Sequence, residues 1–334
     1  MIFSVYLPTD EFGGVDPPDL DLAADYLELK AAVSPVGQSY SAEIVDALEI
    51  AADSEFEDVN EEVETRESVA TGAVTRIGLR QRALGSAYPF ATDEFGDTVS
   101  FLAETPDLGQ AAYLVSLILS NLRAITPLLE DSALHPSEAQ VKALREYFQY
   151  FATAALAAEV GGQAWSFGFP RPDRSGFIGK LSEIWSVLKD GAVNADPSAP
   201  ASPKDDQVDV FAWREHGDGL PGFLLAAAQV ATGGDWKDKT IKTHVKDVFP
   251  KRWFSPVPVT EMVAYHVVPF ARPDEKFRDD VLVLGNVLHR IRVPKRVSEA
   301  ESLQTQGLVI EGFDQLQAAA DWIASYFRRA RGQE

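Results

Sequence analysis

Apolar residues recur at helical spacing along much of the chain and predict long helices that pack on a hydrophobic core. In the clearest run, residues 137–160, Leu144, Phe148 and Phe151 lie three or four positions apart, which places them on one face of a helix. Gly161 follows this run, and glycine commonly ends a helix because it adopts left-handed backbone conformations without strain. The pattern therefore predicts a single amphipathic helix over residues 137–160.

Other segments share this periodicity, although they are shorter or more apolar. Helices are predicted over residues 20–33, 42–52, 111–129, 177–188 and 313–331. The segment 111–129 is the most apolar part of the chain, but Asn121, Arg123 and Pro127 interrupt it. The uninterrupted run is too short to cross a bilayer. We therefore expect a buried core helix and no membrane association.

Runs of alternating or continuous apolar residues predict strands in both halves of the chain. The predicted strands cover residues 2–7, 70–82, 164–169, 208–214 and 223–232. The last two are joined by residues 215–222, where Gly217, Gly219 and Pro221 are typical of a hairpin turn. Strands interleaved with helices predict an α/β fold for the second half of the chain.

The order of these elements and the chain length predict two domains. A chain of 334 residues is long enough for one large domain or two of ordinary size, and the pattern changes at residue 136. We expect an acidic, largely helical domain over residues 1–135 that regulates, assembles or targets the second domain. An α/β domain with a mixed sheet flanked by helices is expected over residues 136–334. The segment 192–206, rich in Ala, Ser, Pro and Asp, is predicted to be a loop.

Charge is distributed unevenly between the two halves. The whole chain carries a formal charge of -21. Residues 1–200 hold 12 Lys and Arg against 32 Asp and Glu, whereas residues 201–334 hold 18 against 19. Residues 235–296 alone hold 13 basic and 8 acidic residues. This local basic excess is compatible with a surface that faces DNA and equally with an ordinary solvated surface.

Composition and spacing exclude several kinds of site. The chain has no cysteine, which excludes disulfides, thiolate metal sites and cysteine nucleophiles. The reducing cytoplasm is the expected compartment, and the first residues lack the features of a secretory signal. None of the five histidines stands in a His-x-x-x-His spacing, which argues against a zinc site. Glycine-rich nucleotide-binding sequences and a Gly-x-Ser-x-Gly sequence are also absent.

Two polar residues stand in the otherwise apolar strands of the predicted hairpin. With the turn centred between residues 218 and 219, Asp209 is expected opposite Ala228, and Val208 opposite Gln229. Asp209 and Gln229 are then close neighbours, although a slip of one residue would change which side chains face each other. A polar residue in a buried strand usually has a partner or a function.

These residues carry a resemblance to a known enzyme family. The sequence Asp-Asp-Gln-Val-Asp-Val at residues 205–210, the hairpin, and Gln-Val-Ala-Thr at residues 229–232 before a lysine-bearing helix resemble the PD-(D/E)XK nuclease superfamily. The similarity is greatest to its Mrr-type branch, where glutamine can stand in the acidic position of the second motif. It covers roughly residues 140–250. The resemblance implies a restriction-endonuclease-like fold, with Asp209 and Gln229 as metal-binding and catalytic residues.

The sequence departs from the family at its lysine. That residue normally lies two positions after the Glu or Gln, where this chain has Ala231. Asp235 is a plausible N-cap for the next helix, which carries Lys237 and Lys239. Helical geometry places Lys237 nearer the apolar side of that helix, and therefore nearer the sheet. Lys239 remains the second candidate for the lysine that orients the attacking water.

Further metal ligands are expected from the resemblance. The family uses a Glu from the helix that precedes the sheet, which leaves Glu146 and Glu159 as candidates. Glu159 is preferred because it lies nearer the strand and follows an apolar run. Asp206 is an auxiliary candidate. Together with Asp209 and Gln229 these oxygen ligands suit Mg²⁺ or Mn²⁺.

The resemblance implies a metal-dependent DNA endonuclease that acts in restriction or antiviral defence. DNA is the expected partner, and Arg290 and Arg292 are expected to contact phosphates from one face of a strand, although a charged edge strand would show the same pattern. The alternative is a non-catalytic binding or assembly subunit of a defence complex that keeps the nuclease fold, consistent with Ala231. A protein partner is expected for the acidic first half, and the sequence leaves the oligomeric state open.

Overall fold

The computed structural model describes residues 19–51, 59–201, 203–272 and 274–333. These residues form eleven helices and two sheets, which confirms the general α/β class. The chain divides into two compact units, one of Met1–Leu144 with Ala318–Glu334, and one of Arg145–Gln317. The second unit therefore begins at Arg145 rather than at the predicted residue 136, and the final 17 residues group with the first unit. Both boundaries fall inside helices.

The first unit combines helices with a small sheet. Its elements are α1 (Leu20–Val33), β1 (Gln38–Tyr40), α2 (Ala42–Ala51), α3 (Val59–Leu84), β2 (Phe90–Thr92), β3 (Thr98–Phe101), α4 (Leu108–Ser120) and α5 (Leu122–Ile125). The strands pair antiparallel in the order β1-β3-β2. The strand predicted over residues 2–7 lies outside the described residues.

Helix α1 forms over the predicted residues because its N-terminus is capped. The side chain of Asp19 accepts hydrogen bonds from the backbone N–H groups of Asp21 and Leu22, two of the first-turn donors that lack the usual acceptor four residues earlier within the helix. The strand predicted over residues 70–82 is wrong, because that segment lies within α3. Its β-branched residues resemble a strand locally, but the buried Ala73 and Ile77 lie four positions apart, which is helical spacing.

The second unit is built around a five-stranded sheet. The remaining elements are α6 (Glu138–Val160), β4 (Gln163–Ser166), α7 (Phe177–Leu188), β5 (Val210–Arg214), β6 (Leu224–Val230), α8 (Phe249–Trp253), β7 (Met262–Val267), α9 (Asp274–Leu284), β8 (Asn286–Leu288), α10 (Val293–Thr305) and α11 (Gln315–Ala330). Helix α6 begins in the first unit and continues into the second, and α11 continues from the second into the first.

The large sheet is mixed, with strand order β4-β5-β6-β7-β8. β4, β5 and β6 pair antiparallel, whereas β6, β7 and β8 pair parallel. The hairpin register differs by one residue from the prediction, because Val210 rather than Asp209 pairs with Ala228. The backbone N–H of Asp209 nevertheless donates to the carbonyl of Ala228 at 2.8 Å. The predicted proximity of Asp209 and Gln229 is therefore confirmed, although the register is not.

The turn from α6 into β4 depends on glycine. Gly161 has φ +72 and bonds back to the carbonyl of Ala157 at 2.8 Å. A Cβ on Gly162 would lie 1.9 Å from the backbone oxygen of Trp213 on β5, so no larger residue fits there without moving the strand. The two glycines fix the point at which the helix ends and the sheet begins.

Residues 235–253 do not form the predicted α-helix. The segment consists of a 3₁₀ turn (Trp236–Asp238), a π-helical turn (His244–Val248) and α8, and Asp235 makes no capping hydrogen bond. Its buried apolar residues are Trp236, Ile241, Val245, Phe249 and Trp253. They lie four or five positions apart, and the chain buries them through a 3₁₀ turn and a π-helical turn rather than one regular α-helix.

No single helix in the described ranges has the length and apolar content needed to cross a bilayer. Residues Leu108–Ser120 and Leu122–Leu128 meet that requirement only as a pair, and the pair bends by 85° at the break.

Candidate functional site

Asp209 lies immediately before β5, at the end of the sheet where β6 finishes. Its side chain is buried, with the residue 7% exposed. One carboxylate oxygen, Oδ2, accepts a hydrogen bond from the Gln229 amide at 2.5 Å and another from the backbone N–H of Val230 at 2.8 Å. The predicted pair Asp209 and Gln229 is therefore in direct contact, with the glutamine acting as donor.

The second oxygen of Asp209 faces the loop after β4. An ideal Cβ on Gly168 would lie 2.5 Å from Asp209 Oδ1 and 2.5 Å from Gln149 Nε2. A larger residue at this position would force one of the two side chains to move, and their atoms are within about 5 Å of each other. The Gln149 amide also donates to the Ser166 hydroxyl at 2.9 Å. Gln149 thus brings helix α6 to the site, a role that the sequence interpretation gave to a glutamate.

The carboxyl group of Asp209 lacks a direct cationic partner among the described residues. Burial raises its pKa to about 7, and the negative charge of Asp205 acts in the same direction. The N–H of Val230, the amide of Gln229 and the charge of Lys239 act in the opposite direction without cancelling the rise. At neutral pH this carboxyl is therefore partly protonated.

The two candidate lysines have different surroundings. The Lys239 ammonium lies 3.0 Å from Asp235, and its charge lowers the pKa of both Asp209 and His266. The Lys237 ammonium instead lies 5.5 Å from the centroid of the Trp236 ring. The preference for Lys237 over Lys239 depended on a regular helix, and that helix is not formed. Lys239 is the lysine within electrostatic reach of Asp209.

Ala231 occupies a position that leaves little space for a lysine. It is 1% exposed and packs in a small apolar cluster with Trp236, Val268 and Leu284. Its backbone N–H continues the pairing with β7 by donating to Val267 at 2.9 Å. A lysine here would place its charge in an apolar environment, which is costly without a partner.

Asp206, the auxiliary metal candidate, is already bound to other residues. Its carboxylate accepts hydrogen bonds from Arg252 at 2.7 Å and from the Trp253 indole at 2.6 Å, and His244 Nε2 lies 3.4 Å away. Burial alone would raise the pKa of Asp206, but these contacts hold it below its ordinary value. Asp206 and Gln207 both have positive φ, 47° and 70°. Asp206 therefore anchors an unusual backbone conformation three residues before Asp209.

The two glutamates predicted on α6 do not join Asp209. Glu159 forms an ion pair with Arg296 on α10, at 2.7 Å. Burial raises the pKa of Tyr265, and the charge of Glu159 and a hydrogen bond with it act in the same direction. Glu146 is exposed. The side chain of α6 that approaches Asp209 is Gln149, a polar residue within the apolar sequence from Tyr147 to Phe151. That interruption was the available sequence signal for it.

The predicted phosphate contacts Arg290 and Arg292 do not lie on a strand. Residues 290–292 form a turn, and α10 begins at Val293 with Pro294 in its first turn, a position where proline is favoured. Arg290 is 0% exposed, so its side chain is not accessible to DNA. Arg292 is exposed, but its guanidinium lies 4.5 Å from the Phe277 ring and donates to the Val287 carbonyl at 2.9 Å.

His266 is a residue that the sequence interpretation missed. It pairs with Gln229 across β6 and β7 and is 0% exposed. Within the described part of the chain, neither ring nitrogen has a partner at hydrogen-bond geometry, although the Trp236 backbone is close enough to affect its pKa. Burial lowers the pKa of His266 to about 4. His266 is therefore uncharged at neutral pH. Asp209 just before β5, Gln229 on β6 and His266 on β7 lie side by side across the sheet.

These residues do not match the requirements of a Mg²⁺ site. Mg²⁺ is usually held by one or two carboxylates with further oxygen ligands in octahedral geometry. Here Asp206 and Glu159 are each paired with an arginine, and Gln229 directs N–H rather than oxygen toward Asp209. No group of three or more His, Asp or Glu side chains in the described ranges is arranged to hold a metal ion.

The chain was compared with protein-family models, with curated proteins and with solved structures, and none of the three comparisons found a match.

Proposed function

We propose that the second unit is a nuclease-like module that binds DNA without metal-dependent cleavage. The observation that carries this proposal is the state of Asp209, whose Oδ2 accepts from the Gln229 amide and the Val230 N–H. A carboxylate held by two N–H donors in an apolar setting serves as a structural acceptor. The nearby Asp205 acts on it through its charge, but the described residues contain no group of three or more His, Asp or Glu side chains that could chelate a divalent ion.

The nuclease-like part of the proposal rests on the order of the elements. A long helix, α6, precedes a mixed sheet, and Asp209 stands at the start of the first hairpin strand with Gln229 on the next. This order agrees with the PD-(D/E)XK resemblance. The loss of cleavage is proposed because Gln149 and Ala231 stand where that resemblance requires a glutamate and a lysine.

The proposed partner is DNA because of the local charge. Residues 235–296 carry a basic excess in a chain whose net charge is -21, and Lys or Arg contacts with phosphates supply most of the non-specific affinity for DNA. The absence of cysteine in the sequence suits a reducing compartment such as the cytoplasm. A role in antiviral defence, and a protein partner for the acidic first unit, remain part of the proposal through the family resemblance.

The test uses the full chain, a labelled duplex and a supercoiled plasmid, with Mg²⁺, with Mn²⁺ and with a chelator. We expect the duplex to be bound at low salt and the plasmid to stay intact under all three conditions. Asp209→Asn should bind DNA as the wild type does, because the amide oxygen can still accept from Gln229. Chelator-sensitive nicking that Asp209→Asn abolishes would instead establish the endonuclease, and absence of duplex binding would contradict the DNA-binding function.

A further inference from the structure

Residues 236–253 form a continuous segment with one side buried. Trp236 contributes to one apolar cluster, whereas Ile241, Val245, Phe249 and Trp253 belong to the main core of the second unit. Between these anchors His244 is also buried, and the remaining residues are half-buried or exposed. The exposed residues in the segment are Lys237, Asp238, Lys242, Thr243, Lys246, Asp247 and Lys251.

The exposed side of this segment is basic. Four of its exposed residues are lysines and two are aspartates, in a chain where acidic residues outnumber basic ones by 51 to 30. The other charges nearby are largely paired, since Lys239 contacts Asp235 and Arg252 contacts Asp206. The exposed residues of this segment therefore carry a net positive charge, whereas the net charge of the whole chain is negative.

We infer that Lys237, Lys246 and Lys251 form the surface that binds the phosphate backbone of duplex DNA. This inference rests on the proposed function and adds the location of the binding surface. The segment is the next one along the chain after β6, the strand that carries Gln229. Lys242 is left out because its ammonium already donates to the Leu282 carbonyl at 3.0 Å.

The chemistry of the exposed side favours nucleic acid over a membrane. A helix that lies on a membrane presents apolar side chains to the acyl chains, but every exposed residue between 236 and 253 is Lys, Asp or Thr. Duplex DNA requires no apolar contact for non-specific binding, because it offers one negative charge per about 1.7 Å of helix axis. Flexible lysines can meet such a closely spaced array without a matched geometry.

The experiment compares three full-length proteins on one labelled duplex, titrated at several salt concentrations. The test variant carries Lys237→Gln, Lys246→Gln and Lys251→Gln. The matched control carries Lys142→Gln, Lys189→Gln and Lys204→Gln, three exposed lysines outside residues 235–296, so both variants change the net charge equally. Vesicles containing an anionic lipid are titrated in parallel.

We expect the test variant to bind the duplex roughly 10-fold or more weakly, while the control binds as the wild type does. Each phosphate contact contributes about 0.9 to the slope of log affinity against log salt, so the slope should become shallower by about 2 to 3. If the test variant binds the duplex with wild-type affinity, or if both variants bind it equally more weakly, the three lysines are not the binding surface. The proposed DNA-binding function would still stand. If the wild type binds vesicles but no duplex, both proposals fail.

Discussion

Buried carboxylates lie beside Arg80 in the first unit and at Asp209 in the second. They differ in whether a cation is in direct contact with them. In the first unit, Arg80 contacts Asp25 and Glu28 at 2.7 Å each, and Asp21 at 2.8 Å. The hydroxyls of Tyr88 and Tyr113 donate to Glu28 at 2.6 and 2.7 Å. The acidic residues of α1 are thus tied to one arginine of α3, which is 2% exposed.

The Asp209 site of the second unit lacks this compensation. Its carboxyl group receives two N–H donors but no directly bonded cation among the described residues, and burial raises its pKa to about 7. The carboxylates around Arg80, by contrast, raise the pKa of that arginine well above its ordinary value. A paired network of this kind is typical of structural stabilisation, whereas the Asp209 carboxyl, held by N–H donors alone, makes the stability of its unit depend on pH near neutrality.

The largest expected effect comes from removing the cation of the first group. Arg80→Met should lower the free energy of unfolding of the first unit by about 5 kcal/mol, because the buried Glu28 and Asp25 would lose their counter-charge. Urea unfolding followed by far-UV circular dichroism measures this loss. Arg76→Gln is the control, since Arg76 lies 4.0 Å from Asp21 at the edge of the network. A loss below about 1 kcal/mol in Arg80→Met would show that the network does not stabilise the unit.

Sequence patterns identified nine of the described elements, namely α1, α2, α4, α6, α7, α11, β4, β5 and β6, but not these networks. Helix α1 and the hairpin of β5 and β6 were recognisable because apolar periodicity is a local property. The contacts of three carboxylates with Arg80 could not be recognised in this way. Arg80 and Glu28 lie 52 residues apart, and no local pattern indicates their contact. In segment 70–82 a local pattern was present but misleading. Its β-branched residues indicated a strand, whereas the segment forms a helix that buries one face.

The candidate site was partly predictable for the same reason. Asp209 and Gln229 stand out because a polar residue in an apolar strand is visible in the sequence. Gln149 and His266 come from more distant elements, and only the fold brings them near. The choice between Lys237 and Lys239 failed because it assumed a regular helix, whereas the segment forms a 3₁₀ turn at Trp236–Asp238 and a π-helical turn at His244–Val248.

The second effect follows from the lone carboxyl of Asp209. Its folded-state pKa of about 7 exceeds the ordinary value near 4, so the folded protein holds a proton that the unfolded chain releases. The contribution of Asp209 to wild-type stability should therefore fall as the pH rises from about 4 to about 7 and then level off. Asp209→Asn cannot ionise, so its stability relative to the wild type should increase by roughly 2–4 kcal/mol between pH 4 and pH 8.

Tryptophan fluorescence in urea measures this difference, because five of the six tryptophans lie in the second unit. Asp238→Asn, at an exposed position, provides the control with the same change of chemistry. If the relative stability of Asp209→Asn does not vary with pH, the carboxyl is compensated by an ion or a group that binds in solution. Such a result would remove the contrast between the two units.

A smaller effect is expected at Asp206, which resembles the Arg80 group because its charge is paired. Asp206→Ala should lower the free energy of unfolding of the second unit by about 1–3 kcal/mol, since Arg252 and Trp253 lose their acceptor. Asp206→Gly also removes the side chain but tolerates φ 47° without strain. It should therefore be more stable than Asp206→Ala by up to about 1 kcal/mol. Equal stability of the two variants would show that the loop leaves the left-handed conformation once its anchor is lost.

The smallest effect concerns the charges that surround Asp209 without touching it. Lys239 lowers the pKa of Asp209 and Asp205 raises it, so Lys239→Gln should move that pKa upwards and Asp205→Asn should move it downwards. Lys237→Gln should leave it in place, because the Lys237 ammonium lies over the Trp236 ring. A carbon-13 NMR titration of the Asp209 carboxyl measures all three variants on one scale. A shift in Lys237→Gln but not in Lys239→Gln would reverse the assignment of the lysines and restore the order expected from a regular helix. Opposite shifts in Lys239→Gln and Asp205→Asn would mean that a cation near the buried carboxyl of the second unit affects its pKa from a distance. In the first unit, by contrast, Arg80 contacts its carboxylates directly.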